Sequence, residues 1–588
     1  MKAEAMSFTF LGNEGVVKIP FFQRSYVWKK TNWEDLLIDL LDDKKNHFLG
    51  SLILKQQEQQ SGKPKEVVVI DGQQRLTTLS VLIKALYDLF PEETKVNCEN
   101  SIRTYLFYKQ NQTDKKHHVK IQHSKLDSQY YHQVIDPGID SSALAKITLS
   151  SSKILQCYKH FYEELQKRSQ AERENLFNRI LHTENKILVI IDLGEKEDEQ
   201  AIFDTINSAG VRLSAADIIK NALFQRALDL FDSQDDVLLR YKSDWEDVFA
   251  QDDYATQFWD SQRSTGRLMR DNIEILLHSV AVIKGFFDPD KDTLSALSSL
   301  YKAEIAKKNK EQLEFFISDI KEYAQLYRDK ISSFDRTTLF SFNDDLQRLL
   351  HVLYVLEITT FHPFILSVLK KHKANGPVLN KILKKLERLI MRRMIAKAET
   401  KSYNKWCKDF ISDEKTIDTK LGEIDDLAVT TGLQNIPNKY AALVLFWVEL
   451  FRRSNDKKFT ATDLKYCYSL EHVMPQKWED HWTCVPVKDD NGTVITVNDQ
   501  AKRIRQSKIY SIGNMTLLTS SLNSALRNYT FEKKVIGEGK KKGIKSYADL
   551  SITKDDIVDL FDKGDHVWDE IKISNRTNIL TMEILALW

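Results

Sequence analysis

Apolar residues switch between helical and strand spacing over the first 110 positions. Trp33, Leu36, Leu37, Leu40 and Leu41 recur at helical spacing behind Thr31-Asn32-Trp33-Glu34, which reads as a capping box. Residues 48–55 and 66–70 are β-rich runs divided by a polar loop with Gly62 and Pro64. From Leu76 the helical period returns at Leu79, Ile83, Leu86 and Phe90. The same alternation runs from 186 to 224. Residues 187–191 form a buried-type strand, and a helix, an Asn207–Gly210 turn and a second helix from Ser214 follow. Residues 111–140 are polar and turn-rich and read as an inserted loop region. Its His117, His118 and His123 have no acidic or Cys companions, so solvation explains them better than metal binding.

Residues 231–455 are dominated by Leu, Ile, Lys and Glu, with no glycine between Gly285 and Gly376, as a helix-rich body requires. After Asp456 strand-like runs reappear, followed by a helix and a basic loop. The expected organisation is a multidomain α+β chain: an α/β domain over 1–230, a large α-helical middle over 231–455, and a last domain over 456–588.

Composition narrows the function. In 588 residues, 85 Lys and Arg face 84 Asp and Glu, a net charge of +1, so any polyanion site must be local. Cys98, Cys157, Cys407, Cys467 and Cys484 form no C-x-x-C pair, which argues against a disulfide framework or a four-cysteine zinc site. The first twelve residues lack a signal-peptide pattern, and no apolar run reaches membrane-spanning length. A reduced, cytoplasmic, soluble protein without membrane contact is the expectation.

Candidate chemistry concentrates near the C-terminus. Ser469-Leu470-Glu471-His472-Val473-Met474-Pro475-Gln476 ends a β-type run with an acid, a histidine and a turn-forming proline. A second strand enters through Gly513-Asn514, and Asn523 lies at the expected start of a helix, with Asn528 and Phe531 beyond. These are the parts of a one-metal phosphodiester nuclease. A histidine can take the proton of the attacking water. Mg²⁺ or Mn²⁺ on a few oxygen ligands neutralises the phosphate and the departing 3′ oxygen. An Asn carbonyl suits such an ion, and a second Asn can orient the imidazole. The candidate catalytic set is His472, Asn514 and Asn523, with Glu471 and Asn523 as metal ligands. A satisfied strand end with capping asparagines would explain a lone His-Pro pair, but not the whole array.

The array resembles the His-Me finger (HNH) nucleases, with Glu471 where an Asp is common. More closely, Glu471-His472-x-x-Pro475-Gln476, Gly513-Asn514-x-Thr516-Leu517-Leu518, Asn523, Asn528 and Phe531 look like the nuclease half of the GmrSD family of modification-dependent restriction enzymes. The tail, with Trp568, Ile571, Arg576 and residues 584–588, is similar to that family's closing helix. The resemblance implies a C-terminal ββα-metal nuclease domain acting on double-stranded, modified phage DNA.

A second polar block, Asp71-Gly72-Gln73-Gln74-Arg75, lies between a strand and a helix. Free amides and the helix dipole favour a phosphate there, glycine permits close approach, and Arg75 adds a forked cation. Upstream, Gln23-Arg24 stands in an aromatic cluster with Tyr26 and Trp28. The plainer reading makes Asp71 a helix cap and the aromatics core. Both motifs resemble the other half of GmrSD, a ParB/sulfiredoxin-like domain that binds and hydrolyses nucleoside triphosphate, GTP or another. Its third block is matched by Phe203, Ile206, Asn207, Gly210, Leu213, Asp217, Ile219 and Lys220. The resemblance implies Asn207 and Lys220 as further nucleotide contacts, while Asp217 also completes a capping box with Ser214.

Two basic surfaces are candidates for DNA. Lys381, Lys385, Arg388 and Arg392 share one face of a helix opposite Leu383, Leu386, Leu389 and Ile390, and Lys540-Lys541-Lys542 lies in a Gly-flanked loop after the nuclease helix. Solvation alone also accounts for such stripes. The leading expectation is an NTP-regulated, metal-dependent DNA endonuclease, with homo-oligomers open. The alternatives are a non-catalytic ParB-like DNA-binding switch and an RNA-directed toxin nuclease.

Overall fold

The computed structural model describes residues 2–23, 25–42, 48–57, 63–111, 114–123, 125–136, 138–194, 214–265, 268–331, 334, 337–539 and 541–588. Arg24, Asn207 and Lys540, together with Phe203, Ile206, Gly210 and Leu213, lie outside the described residues. The chain divides into two compact units, Met1–Tyr241 and Lys242–Trp588.

The first unit is built on a mixed six-stranded sheet. Its strands are β1 (Lys2–Met6), β2 (Val16–Lys18), β3 (Ser51–Gln56), β4 (Glu66–Asp71), β5 (Ile121–Gln122) and β6 (Leu188–Leu193). They lie in the order β1-β6-β3-β4-β2-β5. β3 and β6 run parallel and β3 and β4 antiparallel, with Leu52 opposite Ile190 and Leu54 opposite Val69. Helix α1 (Lys30–Leu41) buries Trp33, Leu36, Leu37 and Leu40, as its period predicts. Its start differs from expectation. Thr31 already lies inside the helix, and it is the Asn32 side chain that accepts from the Lys29 amide at 3.1 Å.

Helix α2 (Gln73–Asp88) is the spine of this unit. Every residue from Leu76 to Leu86 is buried, and Thr77 and Thr78 satisfy their hydroxyls on the carbonyls of Gln73 and Gln74. Residues 111–140 are not simply a loop. They contribute β5 and helix α3 (Lys125–Ile135), whose Tyr131, Val134 and Ile135 enter the core. His123 is packed against Tyr131 rather than solvated, and burial lowers its pKa to about 3. Helix α4 (Ala215–Leu230) is capped by Ser214, which accepts from the Asp217 amide.

The second unit joins the helical body to the C-terminal segment, so the expected boundary at 455/456 falls inside it. Helix α5 (Gly376–Ile395) presents Arg392 to the carbonyl of Trp588, and the Trp588 indole donates to Glu387 at 2.7 Å. On helix α6 (Asn438–Asn455), Arg452 forks onto both Asp556 and Glu583. These half-buried ion pairs fix the C-terminal segment to the helices through groups more than 100 residues apart.

Candidate active site

Two antiparallel strands and a helix carry the C-terminal motif: β7 (Tyr468–His472), β8 (Met515–Thr519) and α7 (Ser520–Leu526). Glu471 is opposite Thr516, and His472 is opposite Met515. The imidazole of His472 is half-buried at the strand end, with the Tyr510 ring edge-on at 5.9 Å. Its Nε2 is shut off from the surface and has no hydrogen-bond partner among the described residues. Burial, reinforced by the charge of Lys534, lowers the pKa of His472 to about 4, so the ring is neutral near pH 7.

Asn523 reaches back from α7 to the strand beside the acid. Its Nδ2 donates to the Leu470 carbonyl at 2.8 Å and to Ser469 Oγ at 3.0 Å, while Oδ1 takes no hydrogen bond among the described residues. Asn514 plays a different part from the one its motif suggested. It is fully buried, and its Oδ1 accepts from the Met474 amide and the Trp568 indole. Its Nδ2 donates to the carbonyls of Met474 and Ile509. Every side-chain group is therefore engaged on scaffold. Asn514 pins the loop that follows His472 and is a positioning residue, without contact to the ring.

Glu471 is buried and ion-paired with Lys534, from the short helix α8 (Phe531–Ile536). Burial pushes the carboxyl up and the ammonium down, and their mutual attraction opposes both shifts. Lys534 also donates to the His472 carbonyl at 2.8 Å. The sequence did carry a sign of this residue: Phe531, Lys534 and Val535 occupy i, i+3 and i+4, placing a lysine on the apolar stripe. Among the described residues no group of three or more His, Cys, Asp or Glu could hold a metal. Asn523 Oδ1 and the Glu471 carboxylate are oxygen donors of the type a hydrated hard cation takes.

At the other motif, β4 runs through Gly72 into α2. Gly72 has φ +90°, and a Cβ there would lie 2.2 Å from Leu52 Cδ2, so glycine is required. The side chains divide. Gln74 is buried, its Oε1 accepts from the amides of Val27 and Trp28, and its Nε2 donates to the Ser25 carbonyl. These bonds staple the aromatic segment to α2. In the same segment the Tyr26 amide donates to Asp127 at 2.6 Å. Gln23 is tied through Nε2 to the Val69 carbonyl at 2.7 Å. Arg75 packs over Gly50 and donates to the Ser51 carbonyl at 3.1 Å. Asp71 and Gln73 are half-buried at the junction. Lys220 is buried and paired with Asp217 at 3.0 Å. A cavity of about 1210 Å³ in this unit is lined by Lys18, Lys55, Gln122 and Gln225, and by none of Asp71–Arg75.

The first basic stripe is divided: Lys381 stays exposed, while Lys385 and Arg392 are engaged. Arg392 is only 4% exposed and is held by the Ile424 carbonyl and Asp426, and Lys385 pairs with Asp418 at 2.7 Å. Arg388 stays exposed. Lys541 and Lys542 are exposed on a two-residue strand opposite Gly537–Glu538, available to a polyanion. No helix among the described residues is long and apolar enough to cross a membrane.

Comparison with known proteins accounts for both halves. The family model for the GmrSD restriction endonuclease N-terminal domain matches residues 8–224, and that for the C-terminal domain matches 426–582. The second match begins within the helices and includes α6, the same elements that the ion pairs of Arg452 tie to the C-terminal segment. No curated protein matches the chain. With both domain models in order and together spanning well over half its length, the chain belongs to the GmrSD family of restriction endonucleases, nucleases whose substrate is DNA.

Proposed function

We propose that the chain is a divalent-metal-dependent DNA endonuclease of the His-Me finger (HNH) type, regulated by nucleoside triphosphate and directed at modified phage DNA in the cytoplasm. The observation that carries this reading is the imidazole of His472, whose Nε2 has no partner among the described residues, at the end of the strand that Asn523 holds through the Leu470 carbonyl. A buried polar nitrogen without a partner is rare unless a ligand or water completes it. In the proposed reaction the His472 imidazole takes a proton from water, the resulting hydroxide attacks phosphorus, and the P–O3′ bond breaks. Mg²⁺ or Mn²⁺, when bound at Asn523 and Glu471, supplies the positive charge that stabilises the phosphate and the leaving oxygen. Asn514 holds the loop so that the ring keeps its place.

The first unit, in this reading a ParB-like domain, takes the triphosphate at the start of α2. Gly72, which has no side chain, stands at the N-cap of α2, where the helix dipole favours an anion, and Arg75 adds a guanidinium. The test is plasmid cleavage with Mg²⁺ or Mn²⁺, wild type beside His472→Ala. RNA and DNA substrates, and phage DNA with and without base modification, identify the target. Titrating GTP, ATP, CTP and UTP against wild type and Arg75→Ala shows whether nucleotide licenses or restrains cutting. Cleavage indifferent to every nucleotide and to Arg75→Ala would leave two independent domains.

A further inference from the structure

Lys534 stands apart from two other buried cations of the C-terminal segment, Arg505 and Arg576. Arg505 donates to the carbonyls of Trp482 and Val485 and pairs with Glu570, and Arg576 donates to the carbonyls of Gly513, Met515 and Ile552. Both tie scaffold to scaffold. Lys534, with none of its surface exposed, has its hydrogen bonds to two consecutive residues of the motif strand, the Glu471 carboxylate and the His472 carbonyl. A lysine ammonium is a compact point charge, not a fork that would lock a carboxylate through both oxygens. Glu471 can therefore be held by one oxygen and still offer the other.

We infer that Lys534 is a positioning residue of the nuclease site, fixing the Glu471–His472 strand end and sharing the Glu471 carboxylate with the bound cation. This rests on the proposed nuclease reading. It has two consequences of opposite sign. The hydrogen bonds to Glu471 and the His472 carbonyl keep the base in register with the phosphate, so losing them slows turnover. The positive charge beside Glu471 opposes a second cation, so losing it tightens metal binding. A residue serving only the fold would move both quantities in the same direction.

The experiment uses the full chain with two variants. Lys534→Gln keeps a hydrogen-bond donor without charge, and Lys534→Met removes both. Removing the cation strands a buried carboxylate, so thermal melts establish that each variant folds, and Lys534→Gln stands in if Lys534→Met does not. Mn²⁺ affinity is read by electron paramagnetic resonance without DNA, and cleavage is read at saturating Mn²⁺. In Lys534→Gln we expect Mn²⁺ to bind about tenfold more tightly, from removal of one nearby charge. The maximal cleavage rate should fall about 10–100-fold, the usual cost of removing a group that orients a metal ligand, with KM for DNA little changed. Unchanged or weaker Mn²⁺ affinity in a folded variant overturns the inference. So does a cleavage rate that merely tracks the folded fraction. A wild-type protein that neither binds Mn²⁺ nor cuts DNA sinks the nuclease reading, and this one with it.

Discussion

At the two ends of the chain a polar motif follows an apolar strand, but folding treats the motifs differently. After β4, Gln74 is engaged by three main-chain groups and Gln23 by the end of the same strand. After β7, by contrast, the scaffold work is done by Asn514, and the imidazole of His472 keeps a nitrogen without a partner among the described residues. The comparison separates two kinds of motif residue. Some side chains are spent on hydrogen bonds that hold the local fold, and others keep an atom that takes none among the described residues. At the C-terminus the second class is His472 and Asn523; in the first unit Arg75 is itself held by the Ser51 carbonyl, and its proposed phosphate contact rests on its charge.

The sharpest way to break this contrast is His472→Ala. Cleavage should fall by about 10²–10⁴ while the melting temperature stays within a degree or two, because no hydrogen bond of the ring is lost. Near-normal nicking would show that the unpartnered nitrogen is idle. Gln74→Ala tests the opposite side. Leaving the amides of Val27 and Trp28 and the Ser25 carbonyl unpaired should cost about 1–3 kcal/mol of stability, read by denaturant titration. An unchanged midpoint together with lost nucleotide binding would return Gln74 to the ligand.

Arg75→Ala sharpens the comparison within the same motif. Nucleotide affinity should weaken about tenfold, the value of one charge-assisted phosphate contact, with little change in stability; calorimetry that finds no difference removes Arg75 from the site. The smallest effect is expected at the surface. Lys541→Ala with Lys542→Ala should reduce DNA affinity a few-fold and lower the salt dependence by about two counterions. Arg392→Ala should instead lower the melting temperature and leave the salt dependence alone, since its guanidinium is held by Ile424 and Asp426.

The sequence made local events legible and distant ones not. The strand runs before Asp71 and before Leu193, the helical period of α1 and the Ser214 cap all lie where residue spacing places them, because each depends on neighbours in the chain. Helix α3 escaped because its apolar stripe of Tyr131, Val134 and Ile135 is short and set among His, Gln and Asp. Packing against the rest of the unit, including the helix Lys153–Gln166 and the Tyr131 hydroxyl on Ser80 of α2, makes it a helix worth forming. The fate of Arg392 was hidden for the same reason: its partners at Ile424, Asp426 and Trp588 are remote in sequence, so a basic stripe and a buried clamp look alike in one dimension. At the candidate site, Glu471, His472 and Asn523 could be named from residue types. That Asn514 is fully engaged, and that Lys534 meets Glu471, depends on contacts 40 to 63 residues apart.

Gly513 carries a consequence for how such sequences can diverge. A Cβ there would lie 2.3 Å from the Ile573 carbonyl oxygen and 2.5 Å from the Thr577 amide, both on the last helix, Glu570–Leu587. The Gly513 amide also donates to Thr577 Oγ1 at 3.2 Å. The last helix and the turn before Asn514 therefore meet on main-chain atoms and on the Thr577 hydroxyl, which is itself hydrogen-bonded to the Ile573 carbonyl, so little there can absorb a change. Homologues free to vary elsewhere are bound here to a joint choice. A side chain at this position requires the last helix to move away, and the turn that places Asn514 to be rebuilt with it.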